Sequence, residues 1–221
     1  MALNKVISMD DAIAKIKSGD TVMIGGFGVV GTPHKLVDAL LSSDIRDITL
    51  ICNDTAWEDK GLGKLITNNR CKKVIASHIG TNKQTGAKMN AGELDVELVP
   101  QGTLAERIRA AAYGLGGILT PTGIGTAVEE GKQKFGIDGK EYLLELPLHA
   151  DVALVFGAVC DAGGNMSYIG AAANFNNIMA GAAKITIAEA GELLPVGAMN
   201  PNQVSTPGIF IDYVVEGAVH G

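Results

Sequence analysis

The sequence predicts an α/β fold: an open, mainly parallel sheet with flanking helices. Short runs of apolar and β-branched residues recur along the 221 residues, and the segments between them have the apolar spacing of helices. Short connections join these segments, and this alternation is typical of parallel sheets. The sequence contains neither an internal repeat nor a low-complexity linker, so we expect residues 1–221 to form a single domain.

The first elements are predicted from end signals and composition. Ser8 and Asp11 have the spacing of a capping box, which predicts a helix after Ser8. The short β-branched run Thr21–Ile24 predicts a buried strand. Thr32 is expected to be the N-cap of the next helix and Pro33 its first residue.

Further strands are predicted by the same composition at Asp47–Cys52, Lys72–His78, Val96–Val99, Asp151–Phe156 and Lys184–Ala188. Thr103 and Glu106 have the spacing of a second capping box, which predicts a helix ending near Ala112. Another helix is expected at Asn176–Ala183. A polar hairpin is expected within Gly131–Glu145, because it contains Asp138-Gly139, a strong turn signal.

The composition excludes several classes of protein. The formal net charge of −6 argues against nucleic-acid binding, which normally requires a basic face. No apolar run is long enough for a membrane span, and the N-terminus has no signal-peptide pattern. Cys52, Cys71 and Cys160 lack metal-ligand spacing and are expected to be reduced, buried thiols. We therefore expect a soluble cytoplasmic protein without a metal site.

The most informative segment is Gly25-Gly26-Phe27-Gly28-Val29-Val30-Gly31, here called the glycine loop. A predicted strand precedes it and a predicted helix follows it. Ligands bind at such strand-to-helix turns in open α/β sheets, because backbone N–H groups and the helix N-terminus favour an anion. The loop is therefore a candidate ligand-binding segment.

One alternative for the loop is dinucleotide binding, since Gly26-x-Gly28-x-x-Gly31 matches the fingerprint of nicotinamide-dependent oxidoreductases. In that fold the helix begins near the second glycine, which would place Pro33 inside it at a cost of about 3 kcal/mol. The expected acidic residue is also misplaced, because Asp47 comes too early and Asp54 too late. A free-standing ligand loop is the better interpretation.

Other polar residues are weaker candidates. Gln101 lies just before a predicted helix and suits a ligand contact. His34 is expected to be solvated, whereas His78 could equally serve a structural hydrogen bond or a substrate contact. Cys52 is expected in the core, because no basic neighbour in sequence would lower its pKa. His149 and His220 are expected at the surface, and helix capping and surface ion pairs are expected of Glu106, Arg107 and Arg109.

A series of motifs, in a constant order along nearly the whole chain, carries a family resemblance. They are Gly25-Gly-Phe-x-x-x-Gly-x-Pro33, Ser77-His-Ile-Gly-Thr-Asn82, Gly92-Glu-Leu-Asp-Val96, Pro100-Gln-Gly-Thr-Leu-Ala-Glu-Arg-Ile-Arg109, Thr120-Pro-Thr-Gly-Ile-Gly-Thr126, Asn174-Phe-Asn176 and Thr206-Pro-Gly208. With them the sequence resembles the A (alpha) subunits of the 3-oxoacid and acetate/acetoacetate CoA-transferases, the family I enzymes. One departure is Ala173, where the family often has arginine.

The resemblance implies transfer of CoA between two carboxylic acids through a glutamate of the enzyme. That glutamate belongs to a Ser-Glu-Asn-Gly motif of the B (beta) subunit, which this chain lacks, so the chain alone is expected to be inactive and to assemble as A2B2. The resemblance implies that Gly25–Gly31 contacts the CoA ester and that Gln101 and Asn53 face the substrate carboxylate. The CoA thioester is a substrate, and no tightly bound cofactor is expected.

Three further functions stay open besides the CoA-transferase. One is the oxidoreductase described above. The others are a non-catalytic regulatory subunit with the same fold and a homo-oligomeric sugar-phosphate isomerase of similar α/β design.

Overall fold

The structure, a computed structural model, describes residues 4–217. The strands, in chain order, are β1 (Thr21–Ile24), β2 (Ile48–Ile51), β3 (Cys71–Ala76), β4 (Asp95–Leu98), β5 (Ile118–Thr120), β6 (Lys134–Ile137), β7 (Lys140–Glu145), β8 (Ala150–Asp161), β9 (Met166–Ser167), β10 (Ala183–Leu194) and β11 (Tyr213–Glu216). The α-helices are α1 (Met9–Ile13), α2 (His34–Ser42), α3 (Gly63–Thr67), α4 (Lys83–Asn90), α5 (Gln101–Ala112) and α6 (Asn176–Met179). Within residues 4–217, no helix is long and apolar enough to cross a membrane.

The main sheet has the strand order β11-β10-β8-β1-β2-β3-β4. All neighbours along this path are parallel, and the short β9 pairs antiparallel with β8. The prediction of an open, mainly parallel sheet is confirmed. Successive strands after β1 extend the sheet to one side, whereas β8, β10 and β11 extend it to the other. The carboxyl end of β1 is therefore a topological switch point, where open α/β sheets form a ligand crevice.

The sheet separates two apolar clusters. Ile24 belongs to one cluster together with Leu36 and Leu40 of α2. Its neighbour Met23 points to the opposite face and packs in the second cluster, which includes Leu104 of α5. Because β1 is covered on both faces, the segment that follows it starts from a rigid position.

A small antiparallel sheet, in the order β5-β7-β6, lies outside the main sheet. Its β6–β7 hairpin turns at Asp138 and Gly139, which have φ of 49° and 73°. Both residues are left-handed, as a type I′ turn requires, and the predicted hairpin is confirmed.

A buried charge cluster ties the small sheet to α5. Glu145 is 2% exposed; its carboxylate lies 2.5 Å from Lys132 Nζ and 3.8 Å from Arg107 Nε. Arg107 also pairs with Glu97 at 3.2 Å, and its side chain is only 14% exposed. The pairing predicted for Arg107 is therefore confirmed, but the side chain is largely buried where a surface pair was expected, and one of its partners is the buried Glu145.

Several helix ends differ from the prediction. The Ser8 cap is confirmed, since Ser8 Oγ accepts the Asp11 N–H at 3.1 Å. The second capping box is wrong, because α5 begins at Gln101 and Thr103 lies buried in its first turn. The cap at Thr32 is also wrong: α2 begins at His34, with Pro33 as its N-cap.

Candidate functional site

A cleft of about 440 Å³ opens at the carboxyl ends of β1, β2 and β3. The glycine loop forms one wall through Phe27–Val30, and Gln101 at the start of α5 forms another. Asn53 also lines the cleft, two residues after the end of β2. Residues that are far apart in sequence meet here because parallel strands present their carboxyl ends at one edge of the sheet.

The glycine loop folds back on itself. The N–H of Phe27 donates to Val30 O and the N–H of Val30 donates to Phe27 O, both at 3.0 Å. Two glycines are required by their surroundings. A Cβ on Gly25 would lie 1.9 Å from Asn176 Oδ1, and Gly31 has φ of 72° with Ala172 O only 2.7 Å from where its Cβ would be. The loop can keep this path only with glycine at these positions.

Two asparagines hold the loop from behind. Asn174 Nδ2 donates to Val30 O at 2.9 Å, and Asn176 Nδ2 donates to Gly31 O at 2.8 Å. Asn176 Oδ1 in turn accepts the N–H of Phe156 on β8 at 2.9 Å. The motif Asn174-Phe-Asn176 thus fixes the carbonyl groups of the loop to the main sheet.

The N-terminus of α2 is occupied by the protein's own carboxylate. Glu189 on β10 is fully buried, and its Oε2 accepts the N–H of Leu36 at 2.9 Å. Burial raises the pKa of Glu189, while hydrogen bonds from the N–H groups of Leu36 and Lys35 oppose that rise. The expectation that this helix N-terminus serves an anionic ligand is wrong, because Glu189 already satisfies it.

Unsatisfied donors remain within the loop itself. Among residues 4–217, the N–H groups of Val29 and Gly31 have no hydrogen-bond partner. Preorganised N–H groups of this kind stabilise an oxygen that gains negative charge during a reaction.

A chain of hydrogen bonds links Gln101 to the loop. Gln101 Nε2 donates to Asn53 Oδ1 at 2.7 Å, and Asn53 Nδ2 donates to Asp54 Oδ2 at 2.7 Å. The same Asp54 oxygen accepts the N–H of Gly28 at 2.8 Å. Gln101 is exposed to the cleft, whereas Asn53 is only 1% exposed.

The histidines have distinct environments. His34 is half-buried, and its Nε2 lies 3.3 Å from Val29 O, so the predicted solvated position is wrong. His78 is exposed and lines the cleft, and its backbone carbonyl accepts the N–H of Thr55 at 3.2 Å. His149 is exposed as predicted, and His220 lies outside the described residues.

All three cysteines are free thiols. Cys52 is buried, and burial, followed by the negative charge of Asp54, raises its pKa well above the usual value. This confirms that Cys52 belongs to the core. Cys160 is also buried, and burial raises its pKa to about 12. Cys71, the first residue of β3, is partly exposed but packs against the core, and burial raises the pKa of its thiol to about 12, so the predicted burial holds in part.

Sequence reasoning missed Asp54 and Trp57 as parts of the cleft. Asp54 follows the second predicted strand, and the glycine loop follows the first. Because the carboxyl ends of neighbouring parallel strands lie side by side, this position was a usable signal that Asp54 lies near the loop. Trp57 gave no such signal. It reaches the cleft because the backbone turns at Ala56, which has φ of 48°, and its ring packs on Gly28.

The fold and the cleft define an α/β protein with a candidate ligand cleft at the carboxyl edge of its parallel sheet, on the β2 side of the switch point. Residues 6–217 match the family described as Coenzyme A transferase. The chain belongs to this family, as the motif resemblance indicated.

Known relatives agree over almost their whole lengths. The acetate CoA-transferase subunit alpha of Escherichia coli is 54% identical over 211 residues, covering 96% of both chains. The acetoacetyl-CoA:acetate/butyrate CoA transferase alpha subunit of Clostridium acetobutylicum is 51% identical, covering 96% of this chain and 98% of its own. This chain is thus a CoA-transferase subunit of the alpha type. The oxidoreductase alternative gains no support.

Among solved structures, glutaconate coenzyme A-transferase from Acidaminococcus fermentans superposes with a TM-score of 0.85. It is 24% identical and covers 97% of this chain and 76% of its own. An acyl-CoA transferase from E. coli O157:H7, in a thioester complex with CoA, gives a TM-score of 0.82 at 22% identity, covering 96% of this chain and 47% of its own. At these identities the two structures show a shared fold.

Proposed function

We propose that this chain is the A subunit of an enzyme that transfers CoA between short-chain carboxylic acids such as acetate, acetoacetate and butyrate. The observation that carries the proposal is the meeting of the glycine loop, Gln101 and Asn53 in one cleft. The names of the relatives from E. coli and C. acetobutylicum support the choice of acids.

The proposed reaction uses a glutamate of the partner subunit. Its carboxylate attacks the thioester carbonyl, expels CoA as the thiolate and forms a mixed anhydride. The thiolate then attacks the glutamyl carbonyl, which releases the first acid and leaves CoA on the enzyme as a thioester; the second acid reverses both steps. Covalent catalysis of this kind divides one difficult exchange into easier ones.

The role of this chain is to bind and to stabilise charge. In the proposal, Gly25–Gly31 contacts the CoA ester, and the N–H groups of Val29 and Gly31 donate to the oxyanion formed in each attack. Gln101 donates an amide N–H to the carboxylate of the acid. Asn53, being buried and bonded to Gln101, supports the orientation of that amide.

The proposed partner is a B subunit with a Ser-Glu-Asn-Gly motif, in an A2B2 assembly. The rim of the cleft supports a shared site, because Phe27, Val30 and Trp57 are 53%, 48% and 43% exposed in this chain alone. Large apolar side chains at a cleft rim are typical of surfaces that a ligand or a partner covers.

The test is a CoA-exchange assay with acetoacetyl-CoA and acetate, run on this chain alone and on the chain purified with its partner. We expect exchange only from the pair. In the pair, Gln101→Ala should lower kcat/KM by about 10- to 100-fold, in line with the loss of a positioned donor. Gln133→Ala, at an exposed position outside the cleft, is the matched control and should leave the rate unchanged.

Two outcomes would reject the proposal in different ways. A pair that exchanges CoA with no short-chain acid rejects the transferase function, and NADH titration of the chain then tests the oxidoreductase alternative. An active pair in which Gln101→Ala has no effect supports the alternative of a non-catalytic subunit.

A further inference from the structure

Asp54 connects three parts of the cleft. Its Oδ2 accepts the Gly28 N–H at 2.8 Å and Asn53 Nδ2 at 2.7 Å, and its Oδ1 accepts the Ala56 N–H at 2.8 Å. Through Asn53 it also connects to Gln101. A single carboxylate thus joins the glycine loop, the segment that carries the cleft tryptophan, and the start of α5.

The carboxylate is buried without a cationic partner. Asp54 is 6% exposed, and it takes part in none of the ion pairs found among residues 4–217. A buried carboxylate needs compensation, and here three N–H donors provide it. Hydrogen bonds to a carboxylate are shorter and stronger than those between neutral groups. These bonds therefore compensate the buried carboxylate and also fix the positions of the three donors.

Two of the three donors lie on backbone that side chains rarely adopt. Gly28 has φ of 60° and Ala56 has φ of 48°. A non-glycine residue with positive φ is uncommon and persists only where its surroundings hold it. Asp54 therefore maintains the conformation on both sides of the cleft.

We infer that Asp54 is a positioning residue that holds the glycine loop and Gln101 in register for CoA transfer. The inference rests on the proposed function. Asp54 acts through its neighbours, because both of its oxygens already accept hydrogen bonds from Gly28, Asn53 and Ala56. The bond to Gly28 fixes the peptide that leads to Val29, whose free N–H is a proposed oxyanion donor.

The most informative variant is Asp54→Asn, because all three partners of the carboxylate are donors. In either orientation, an asparagine amide turns its own N–H groups toward at least one of them, so the network cannot be kept intact. Asp161→Asn is the matched control. Asp161 is likewise buried and accepts the N–H groups of Gly163 and Asn165, but it does not line the cleft.

Both variants are assayed in the assembled pair. For Asp54→Asn we expect kcat to fall about 100-fold, as for a misplacement of reacting groups by about 1 Å, with the KM for acyl-CoA changed less than about threefold. For Asp161→Asn we expect a lower melting temperature and an unchanged kcat. A kcat of Asp54→Asn within threefold of the wild type overturns the inference, as does an equal loss of kcat in both variants.

Two further measurements separate positioning from general stability. The loss of kcat/KM that Asp54→Asn causes is measured both in the wild type and in the Gln101→Ala variant. Because coupled residues give non-additive effects, this loss should be about fivefold smaller in the Gln101→Ala variant. Additive effects overturn the inference. Asn53→Leu serves where Asp54→Asn does not assemble, since it cuts the link to Gln101 and leaves the Gly28 bond in place. An Asn53→Leu pair with unchanged kcat/KM also overturns it.

The activity of the wild-type pair separates a failure of the proposed function from a failure of the positioning role of Asp54. A wild-type pair without CoA exchange rejects the proposed function itself. An active wild-type pair with fully active Asp54→Asn and Asn53→Leu variants rejects only the positioning role.

Discussion

Replacing Gly31 by alanine tests how tightly the glycine loop is held. The new Cβ would lie 2.7 Å from Ala172 O and 2.8 Å from Asn176 Nδ2, and Gly31 has φ of 72°. The left-handed backbone costs a non-glycine residue about 1–2 kcal/mol. The overpacking adds about 1–3 kcal/mol, because a carbonyl of the neighbouring turn must move.

Gly92→Ala is the matched control for this variant. Gly92 has the same φ of 72°, and no atom lies within 4 Å of where its Cβ would be, so this variant carries the backbone penalty alone. The difference in free energy of unfolding between the variants is expected to be about 1–3 kcal/mol, or roughly 3–10 °C in melting temperature for a chain of this size.

The assay combines thermal unfolding of the chain with CoA exchange by the assembled pair. Gly31→Ala should lose most of its kcat/KM, because displacement of the loop breaks the Asn176 bond and moves the Val29 and Gly31 donors. Gly92→Ala should keep its activity. Equal melting temperatures and equal activities in the two variants would show that the loop is free to relax, contrary to the reasoning.

Three other predictions concern charge, pH and specificity. Glu145→Gln should lower the free energy of unfolding by about 1–3 kcal/mol, measured by urea unfolding, because it leaves Lys132 and Arg107 without their buried partner. As a control, Glu106→Gln removes the exposed ion pair with Arg109 and should lower the free energy of unfolding by less than about 0.5 kcal/mol. Burial raises the pKa of Glu189 above its usual 4.5, so the wild-type protein loses stability as the pH rises above 4.5. Glu189→Gln does not titrate, so urea unfolding should show the variant gaining stability relative to the wild type as the pH rises above 4.5. A difference in stability that does not change with pH contradicts this prediction. Trp57 lines the cleft, so Trp57→Ala should make room for a longer acid and raise the kcat/KM for six-carbon acids relative to two-carbon acids by on the order of tenfold. An unchanged ratio would show that Trp57 does not contact the bound acid.

Much of the fold follows from local signals in the sequence. The β-branched runs predict the central strands, Ser8 predicts its helix, and Asp138-Gly139 predicts its hairpin, because each of these depends on residues a few positions apart. The position of the glycine loop also follows, since Pro33 excludes an earlier start of α2.

The supports of the site depend on partners far apart in sequence. Glu189 caps a helix 153 positions away, and Asn176 binds a carbonyl 145 positions away. The pairing of Gln101 with Asn53 spans 48 positions and requires that two strands end side by side. No periodicity or motif indicates which residues so far apart in sequence will meet. The sequence therefore predicted the loop and Gln101 as candidates, but it predicted an anionic ligand at the N-terminus of α2, where the structure has Glu189.

The occupied N-terminus of α2 changes what the glycine loop can favour. With Glu189 bound at the helix end, the loop keeps three N–H groups without a partner among residues 4–217, those of Gly26, Val29 and Gly31, and of these residues Val29 lines the cleft. A full positive end would bind a permanently charged ligand in the ground state and slow its turnover. Fixed N–H dipoles instead favour a charge that appears only during the reaction, as in the proposed attack on the thioester. Asp54, Asn174 and Asn176 already hold this loop within the chain, so in the proposed function the partner subunit adds its nucleophile to a preorganised surface.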